Sequence, residues 1–385
     1  MYSTWMMEIR FAGSCGESGS SSVFRYEPTT SEDGWRRLAS GEIQFAGVAT
    51  LPTTLMPNAW VLPMLAEAIV VIYNLPGVGH RALTIPRQEL ANIFLGRIRQ
   101  WSQLAQWNPA LVDMHQNITV VVRSDETSVT DGFTSALSSF SSEWKTKVGK
   151  STRPSWPRAG MRCDGDGGVA VCVTANPYSI GYASQSGIKA FASGIGISNI
   201  TNLAGHSVAA TLDSVQAAMD AVALPLSDGF DRSDGKTKQR TLFVQSLVDP
   251  PEKAVDAYPI STFAYLMFDA GRPSCPKLTQ ILFLIYWAWT NEDSQNIVAA
   301  QGSVPVSKNI LRAVLPQLLR LECRAAGAID VPLRQILITS KSCDRGAPEH
   351  RASSGFVWLA LSKPLSFRGC DQSAPQVPFT FFPIR

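Results

Sequence analysis

The stretch Ile118-Thr119-Val120-Val121-Val122-Arg123-Ser124-Asp125-Glu126-Thr127-Ser128 decides the fold that the sequence predicts. Its first five residues are apolar or β-branched, which favours a buried strand. A polar loop follows directly, and a helical pattern then places Phe133, Leu137 and Phe140 on one face. This order of strand, loop and helix is the repeating unit of α/β proteins.

Other apolar runs alternate with helical patterns on both sides of this unit. Runs that predict strands lie at 43–48, 69–73, 180–183 and 258–268. Gly41 and Gly96 each follow a helical pattern and predict where that helix ends. The alternation predicts an α/β fold along most of the chain.

Length and composition narrow the class of protein. The chain has 385 residues, of which 45% are hydrophobic and 17% charged, so it can bury a large core in about two domains. Its formal net charge is only +3, which gives no reason to expect a nucleic acid partner. The longest apolar run in the C-terminal half, 281–289, is much shorter than the roughly 20 residues that cross a bilayer.

The cysteine pattern does not predict a metal site. The seven cysteines contain no Cys-x-x-Cys spacing, which argues against a zinc ribbon or a redox dithiol. Cys163 and Cys172 are close enough in sequence to pair in an oxidising compartment. The first ten residues lack the basic start and apolar stretch of a signal peptide, so export is not predicted from this chain.

Three catalytic or ligand motifs are incomplete. The segment 229–237 resembles a P-loop, but its glycines enclose five residues where the motif requires four. Asp164-Gly165-Asp166-Gly167-Gly168 begins like a calcium loop and then lacks later ligands, so a Gly-rich turn is predicted instead. The four histidines are isolated and no Gly-x-Ser-x-Gly elbow is present. We therefore expect no enzyme activity, metal or cofactor.

Two loops have the character of anion-binding sites. Each one, 29–34 and 123–128, joins a predicted strand to a helix, where free backbone N–H groups and the helix dipole favour negative charge. Hydroxyl groups in both loops and the Arg123 guanidinium add hydrogen-bond donors. The alternative interpretation is that Ser31 and Thr127 only cap their helices.

Several strings in this order resemble one known family. They include Ile69-Val70-Val71-Ile72-Tyr73-Asn74-Leu75-Pro76-Gly77, Val121-Val122-Arg123-Ser124-Asp125, Ser179-Ile180-Gly181-Tyr182 and Tyr258-Pro259-Ile260. From about 23 to 319 the chain resembles the phosphate-binding proteins of bacterial phosphate ABC transporters. The resemblance implies a type 2 periplasmic-binding-protein fold, in which two α/β lobes with a hinge enclose an inter-lobe cleft.

The resemblance also implies a division of the chain. We expect a flexible N-terminal segment at 1–22, the first part of lobe 1 at 23–74 and lobe 2 at 75–256. The chain then returns to lobe 1 at 257–322. Residues 323–385 form a C-terminal appendage of unknown structure.

The resemblance implies a ligand site as well. The family's phosphate-binding Arg maps on to Arg123, with Asp125 as its orienting partner, and the Ser of the first loop maps on to Ser31. In the second loop the family has Ser-Gly-Thr, where this chain has Thr127, Ser128 and Val129. The family's Asp after the strand at 45–48 falls on Ala49.

These matches and departures lead to three hypotheses about function, of which two are favoured. The first is a solute-binding protein, monomeric and not enzymatic, that captures phosphate or a related oxyanion with weakened affinity and selectivity. By the resemblance it would be extracellular or periplasmic and would serve a membrane transporter. The second is a degenerate module that acts in protein interaction or signalling without an anion. A phosphate-ester hydrolase on the same scaffold is the least favoured, because no activated nucleophile is evident.

Overall fold

The computed structural model describes residues 10–11, 22–23, 27, 29–78, 82–222, 230–231, 238–239, 241–318 and 321. The α-helices within these residues are α1 (Ser31–Ser40), α2 (Arg87–Leu95), α3 (Ser128–Phe140), α4 (Ser142–Lys147), α5 (Gly165–Ala175), α6 (Leu212–Ala221), α7 (Cys275–Thr290), α8 (Glu292–Ala300) and α9 (Lys308–Leu318). The strands are β1 (Arg10–Phe11), β2 (Ser22–Val23), β3 (Phe45–Val48), β4 (Ala59–Asn74), β5 (Thr84–Ile85), β6 (Thr119–Arg123), β7 (Met161–Cys163), β8 (Ser179–Ser184), β9 (Gly196–Ile197), β10 (Asn199–Thr201), β11 (Ser207–Val208), β12 (Phe230–Asp231), β13 (Lys238–Gln239), β14 (Thr241–Leu242), β15 (Ser261–Asp269) and β16 (Val304–Pro305).

The largest sheet among the described residues has nine strands. Its main path runs β3-β15-β4-β8-β6-β7, and β9, β14 and β16 also pair with β4. Strands and helices alternate along the chain, so the α/β prediction is confirmed. Gly41 and Gly96 end α1 and α2 in the left-handed conformation, as predicted.

Strand β4 joins the two halves of this sheet. Its 16 residues are all buried except Asn74. The first part pairs antiparallel with β15 up to Ala68, and from Ile69 onward the strand pairs with β8 instead. This single strand therefore crosses from one half of the sheet to the other.

The strand predicted at 69–73 is real but begins ten residues earlier, at Ala59. The added part contains Pro63, and a proline cannot donate a hydrogen bond within a central sheet. The pairing of β4 with β15 shifts register at this place, so that Tyr265 lies opposite Pro63 while Ala264 lies opposite Leu65. This bulge accommodates the proline in a central strand.

The strand and the helix predicted from residue 118 onward are β6 and α3. Strand β6 pairs in parallel with both β7 and β8. Helix α3 follows β6, and helix α5 follows β7. Because β6 and β7 run in the same direction, the loops after both strands lie at the same edge of the sheet, and so do the N-termini of the two helices.

A cluster of buried aromatic rings holds α3 against the sheet. Phe133 of α3 stacks on Tyr182 of β8 with 4.1 Å between ring centroids, and Phe94 meets Phe133 edge to face at 4.9 Å. The Tyr182 hydroxyl and the Thr130 hydroxyl share a hydrogen bond of 2.7 Å. These contacts set the position of α3 on the sheet.

Cys163 and Cys172 form a disulfide that links the end of β7 to α5. Their pairing, which the sequence allowed in an oxidising compartment, is present in this structure. The bond joins the strand to the helix whose first turn lies beside Arg123.

Some predictions fall on residues outside the described part of the chain. These are the flexible segment at 1–22 apart from 10–11 and 22, most of the motif at 229–237 and the appendage at 323–385. The lobe boundaries stay a prediction. Among the helices listed above, none is both long and apolar enough to cross a membrane.

Glu67 of β4 is a fully buried carboxyl group at the crossing. One oxygen accepts the N–H of Ser186 at 2.8 Å, while the other has no hydrogen-bond partner. Burial raises the pKa of Glu67, and the hydrogen bonds from Ser186 oppose this only in part.

A raised pKa in the folded state makes this group a source of pH dependence. The unfolded carboxyl ionises near pH 4.3, so folding stability falls as pH rises from about that value toward the folded pKa. We expect urea denaturation between pH 5 and pH 8 to show this fall, and Glu67→Gln to show a flatter profile. Identical pH profiles for the two proteins would contradict the expectation.

Candidate functional site

A single cavity of about 1190 Å³ is lined by all five residues that the sequence singled out for ligand binding, namely Ser31, Arg123, Asp125, Thr127 and Ser128. The N-termini of α1 and α3 therefore open on to the same cleft, as the sequence predicted. Their part in binding a ligand stays a prediction.

Ser31 is held by the end of a neighbouring strand and does not cap its helix. Thr30 is the N-cap of α1, because its hydroxyl accepts the N–H of Asp33 at 3.1 Å. The Ser31 oxygen instead accepts the backbone N–H groups of Ala49 at 3.1 Å and Thr50 at 3.4 Å. The capping interpretation of Ser31 is wrong. With both lone pairs occupied, its O–H is left to act as a donor.

The N-terminus of α3 forms the second wall. Thr127 caps this helix by accepting the N–H of Val129 at 3.3 Å. Its hydroxyl hydrogen can still be donated to a ligand. Ser128 follows at the first helical position. Free N–H groups and the helix dipole make this end favourable for an anion.

Arg123 lies at the end of β6 and is only 8% exposed. Its Nε donates to Asp125 Oδ1 at 2.7 Å and its Nη2 donates to Asp125 Oδ2. Asp125 is thus in contact with Arg123, as expected for an orienting partner. The Nη1 group donates to Asp166 Oδ1. Three of the five N–H groups of Arg123 are engaged by carboxylates, which leaves one on each terminal nitrogen.

The ion pairs keep these groups charged. Burial alone would lower the pKa of Arg123, but the hydrogen bond to Asp125 and the charges of both carboxylates raise it overall. Burial alone would raise the pKa of Asp125, yet the hydrogen bond and charge of Arg123 hold it below its usual range. Both groups are therefore ionised near neutral pH.

Asp166 also lines the cavity, at a place where the sequence pattern predicted only a turn. The Gly-rich turn predicted at 164–168 is wrong from Gly165 onward, because α5 begins there and Asp166 belongs to its first turn. The order of elements repeats that of β6 and α3, because the short strand β7 is followed directly by a helix. What the sequence lacked was the parallel pairing that brings this turn to Arg123.

Acidic side chains outnumber basic ones along the cleft. The acidic residues of its lining are Glu32, Asp125, Glu126, Asp131 and Asp166, and the basic ones are Arg123 and Lys150. Lys150 pairs with Asp131 at 3.1 Å, and Glu126 accepts a hydrogen bond from the Thr152 hydroxyl at 2.7 Å. An anion in this cleft would be held by directed N–H and O–H donors and not by excess positive charge.

Residues from β15 and from the segment after β14 line the third side of the cavity. Gln245 and Leu247, which follow β14, and Phe263 and Tyr265 of β15 line the cavity. The Tyr265 hydroxyl donates to the Gln245 carbonyl at 2.9 Å and fixes this segment against the sheet. Within the described ranges, no group of three or more His, Cys, Asp and Glu side chains is arranged to hold a metal ion.

Comparison with known proteins assigns the chain to a family. A family model described as a PBP superfamily domain matches residues 16–279. The chain belongs to this superfamily. It is 32% identical to the phosphate-binding protein PstS of Xylella fastidiosa over 279 residues, which cover 72% of this chain and 68% of that protein. It is therefore a PstS-like member of the superfamily.

Two further relatives carry the same name. The phosphate-binding protein PstS of Methanocaldococcus jannaschii is 30% identical over 260 residues, which are 65% of this PstS-like chain and only 60% of the relative. The one from Haemophilus influenzae is 27% identical over 257 residues, which are 66% and 71% of the two chains.

Solved structures confirm the type 2 fold. A high-affinity periplasmic phosphate-binding protein solved with phosphate superposes with a TM-score of 0.53 at 20% identity, covering 71% of the PstS-like chain and 78% of that protein. A phosphate-binding protein from Stenotrophomonas maltophilia gives a TM-score of 0.53 at 15% identity, covering 74% and 84%. At these identities the likeness establishes the fold alone.

Proposed function

We propose that this chain is a non-enzymatic solute-binding protein that binds inorganic phosphate or a related oxyanion in the cleft. The observation that carries the proposal is the meeting of Arg123 with the N-termini of α1 and α3 around one cavity. The relatives named as phosphate-binding proteins support the same ligand class. A membrane transporter as partner and a monomeric state belong to this proposal as well.

The donors in the cleft suit a tetrahedral oxyanion. Arg123 offers one N–H on each terminal nitrogen, which can form a bidentate pair with two oxygens. Ser31, Thr127 and Ser128 can donate hydroxyl hydrogens, and the first turn of α3 adds backbone N–H groups. Donors fixed in these positions favour an anion whose oxygens point toward them, and they disfavour anions of a different shape.

The cleft must close for all donors to reach one small ion. Its volume of about 1190 Å³ is some forty times the ~30 Å³ that a water molecule occupies in the liquid. Strand β4 crosses between the two halves of the sheet and changes its partner between Ala68 and Ile69. We propose that the lobes close about this crossing when the ion binds.

Binding should be weaker and less selective than in the relatives. The acidic majority along the cleft repels any anion that the donors attract. Ala49 also lines the cavity, at the position where the resemblance places a carboxylate. A carboxylate accepts the proton of hydrogen phosphate but repels fully deprotonated sulfate, so its absence removes one source of discrimination.

Isothermal titration with phosphate and with sulfate tests the proposal. We expect measurable heat with phosphate at micromolar to millimolar concentration. Sodium nitrate at matched ionic strength serves as the control for a general salt effect. No heat with either oxyanion at millimolar concentration would overturn the proposed function.

Restoring a carboxylate at position 49 should restore selectivity. We expect Ala49→Asp to raise the ratio of phosphate to sulfate affinity by about tenfold, because one unfavourable charge contact near the ligand is worth about 1.4 kcal/mol or more. Ala49→Asn is the matched control, since it has the same shape and no charge. A ratio that is the same in Ala49→Asp and Ala49→Asn would reject this account of selectivity.

The second candidate function is protein interaction without an anion. The observation that favours it is that Arg123 is already paired with two carboxylates. In this alternative the two carboxylates compensate the charge of Arg123 without an anion, and the chain acts as a protein-interaction module. Small-angle scattering separates the two functions. A phosphate-dependent decrease in the radius of gyration favours oxyanion binding, and an unchanged radius together with no titration heat favours the module.

A further inference from the structure

We infer that Asp166 is a positioning residue for the oxyanion site, which holds the Arg123 guanidinium in its binding orientation. This inference rests on the proposed function. The resemblance supplies Asp125 as the orienting partner, and nothing in the sequence pattern assigns a role to Asp166. The structure places both carboxylates on the same guanidinium.

Asp166 connects Arg123 to a second strand. Its Oδ1 accepts from Arg123 Nη1 and from the backbone N–H of Ser184 at 3.2 Å. Its Oδ2 accepts from the Ser184 hydroxyl at 2.7 Å, and that hydroxyl accepts the N–H of Gly187 at 3.1 Å. One carboxylate of α5 therefore binds the ends of β6 and β8 together. The side chain of Asp166 is 16% exposed, so its position is set by these contacts.

The two carboxylates constrain different edges of the guanidinium. Asp125 binds the edge formed by Nε and Nη2, and Asp166 binds Nη1. With Asp125 alone, the long Arg side chain could still tilt about that edge. The contact to Asp166 removes this freedom, so the remaining N–H on each terminal nitrogen keeps one direction before a ligand arrives.

Gly187 leaves the space that Asp166 needs. A Cβ built on Gly187 would lie 2.5 Å from Asp166 Cβ and 2.6 Å from its Oδ2. The backbone of Gly187 is not in the left-handed region, so alanine is conformationally allowed there. Gly187→Ala would therefore displace the carboxylate without removing its charge.

If Asp166 positions Arg123, removing its charge should change the phosphate affinity in the direction opposite to the one that charge repulsion alone predicts. Removing a negative charge near an anion should strengthen binding. If Asp166 positions Arg123, Asp166→Asn should instead weaken phosphate binding by about tenfold, the size expected for losing a hydrogen bond to a charged group. Gly187→Ala should weaken binding to a similar extent.

Two matched controls separate positioning from general damage. Asp164→Asn removes the same charge from the N-cap of α5, where the exposed side chain makes no capping hydrogen bond. Gly168→Ala adds a methyl group in the same helix, where its nearest neighbours lie 3.8 and 3.9 Å away. We expect both controls to bind phosphate like the unmodified chain or slightly more tightly.

The experiment is isothermal titration of the full chain and its variants with inorganic phosphate, with thermal melting of each variant as a check on folding. The double variant Asp166→Asn with Gly187→Ala should lose no more affinity than the single variant that binds phosphate less tightly, since both substitutions act on one contact. Losses that add, or tighter binding by Asp166→Asn, would overturn the inference. The inference would also be overturned if both single variants bound phosphate as tightly as their control variants. Absence of binding by the unmodified chain would instead overturn the proposed function.

Discussion

Replacing Arg123 by alanine is expected to abolish phosphate binding at any concentration below the millimolar range. Truncating a buried, hydrogen-bonded charge typically costs about 2–5 kcal/mol, which corresponds to roughly a 30-fold to several-thousand-fold loss of affinity. The same change leaves Asp125 and Asp166 without their cation, so the free energy of unfolding should fall by about 3 kcal/mol.

A triple variant separates these two effects. Arg123→Ala combined with Asp125→Asn and Asp166→Asn removes the uncompensated charges, so we expect stability to recover while binding stays absent. Arg97→Ala is the surface control, because its side chain is 59% exposed and its ion pair with Glu143 should contribute little. Titration and urea denaturation measure the two quantities. Phosphate binding by Arg123→Ala at the strength of the unmodified chain would exclude Arg123 from the site.

Replacing Phe133 by alanine is expected to lower the free energy of unfolding by about 3–5 kcal/mol, the usual cost of deleting a fully buried aromatic ring. Phe133 is 0% exposed and packs between Tyr182 and Phe94. The loss should extend to function, because this ring fixes the helix whose N-terminus lines the cleft.

Two further variants calibrate this result. Phe133→Leu keeps most of the buried volume and should lose much less stability than Phe133→Ala. Val171→Ala on α5 removes a side chain that is 51% exposed and should change stability by no more than about 0.5 kcal/mol. Urea denaturation followed by tryptophan fluorescence measures all three. A loss below 1 kcal/mol in Phe133→Ala would show that the aromatic cluster does not hold α3.

The local parts of the fold were predictable because their signals lie within a few residues. The β-branched run of β6 and the helical spacing of Phe133, Leu137 and Phe140 required no distant partner. The helix ends at Gly41 and Gly96 were predictable for the same reason. Each end requires only a left-handed backbone at one residue, which glycine adopts easily. The pair of Arg123 and Asp125 also spans only two residues.

Features that depend on distant contacts were missed. Asp166 lies 43 residues after Arg123, and the two meet only because β6 and β7 pair in parallel. From the sequence, Ser31 was either a ligand-binding residue or only the cap of its helix. The end of β3, which supplies its real partners, lies 18 residues further on. The strand predicted at 69–73 was ten residues too short, because its first part is defined by pairing with the distant strand β15, with a bulge at Pro63.

The order of strands and helices, the family and the residue types of the proposed oxyanion site were thus determined by the sequence itself, because periodicity, helix ends and ordered motifs are read along the chain. The tertiary structure alone decided that Asp166 shares Arg123 with Asp125 and that Ser31, in the lining of the cleft, accepts the N–H groups of Ala49 and Thr50. The physical reason is that a hydrogen bond depends on where two groups meet in space. For groups far apart in sequence, that meeting is set by strand pairing and core packing.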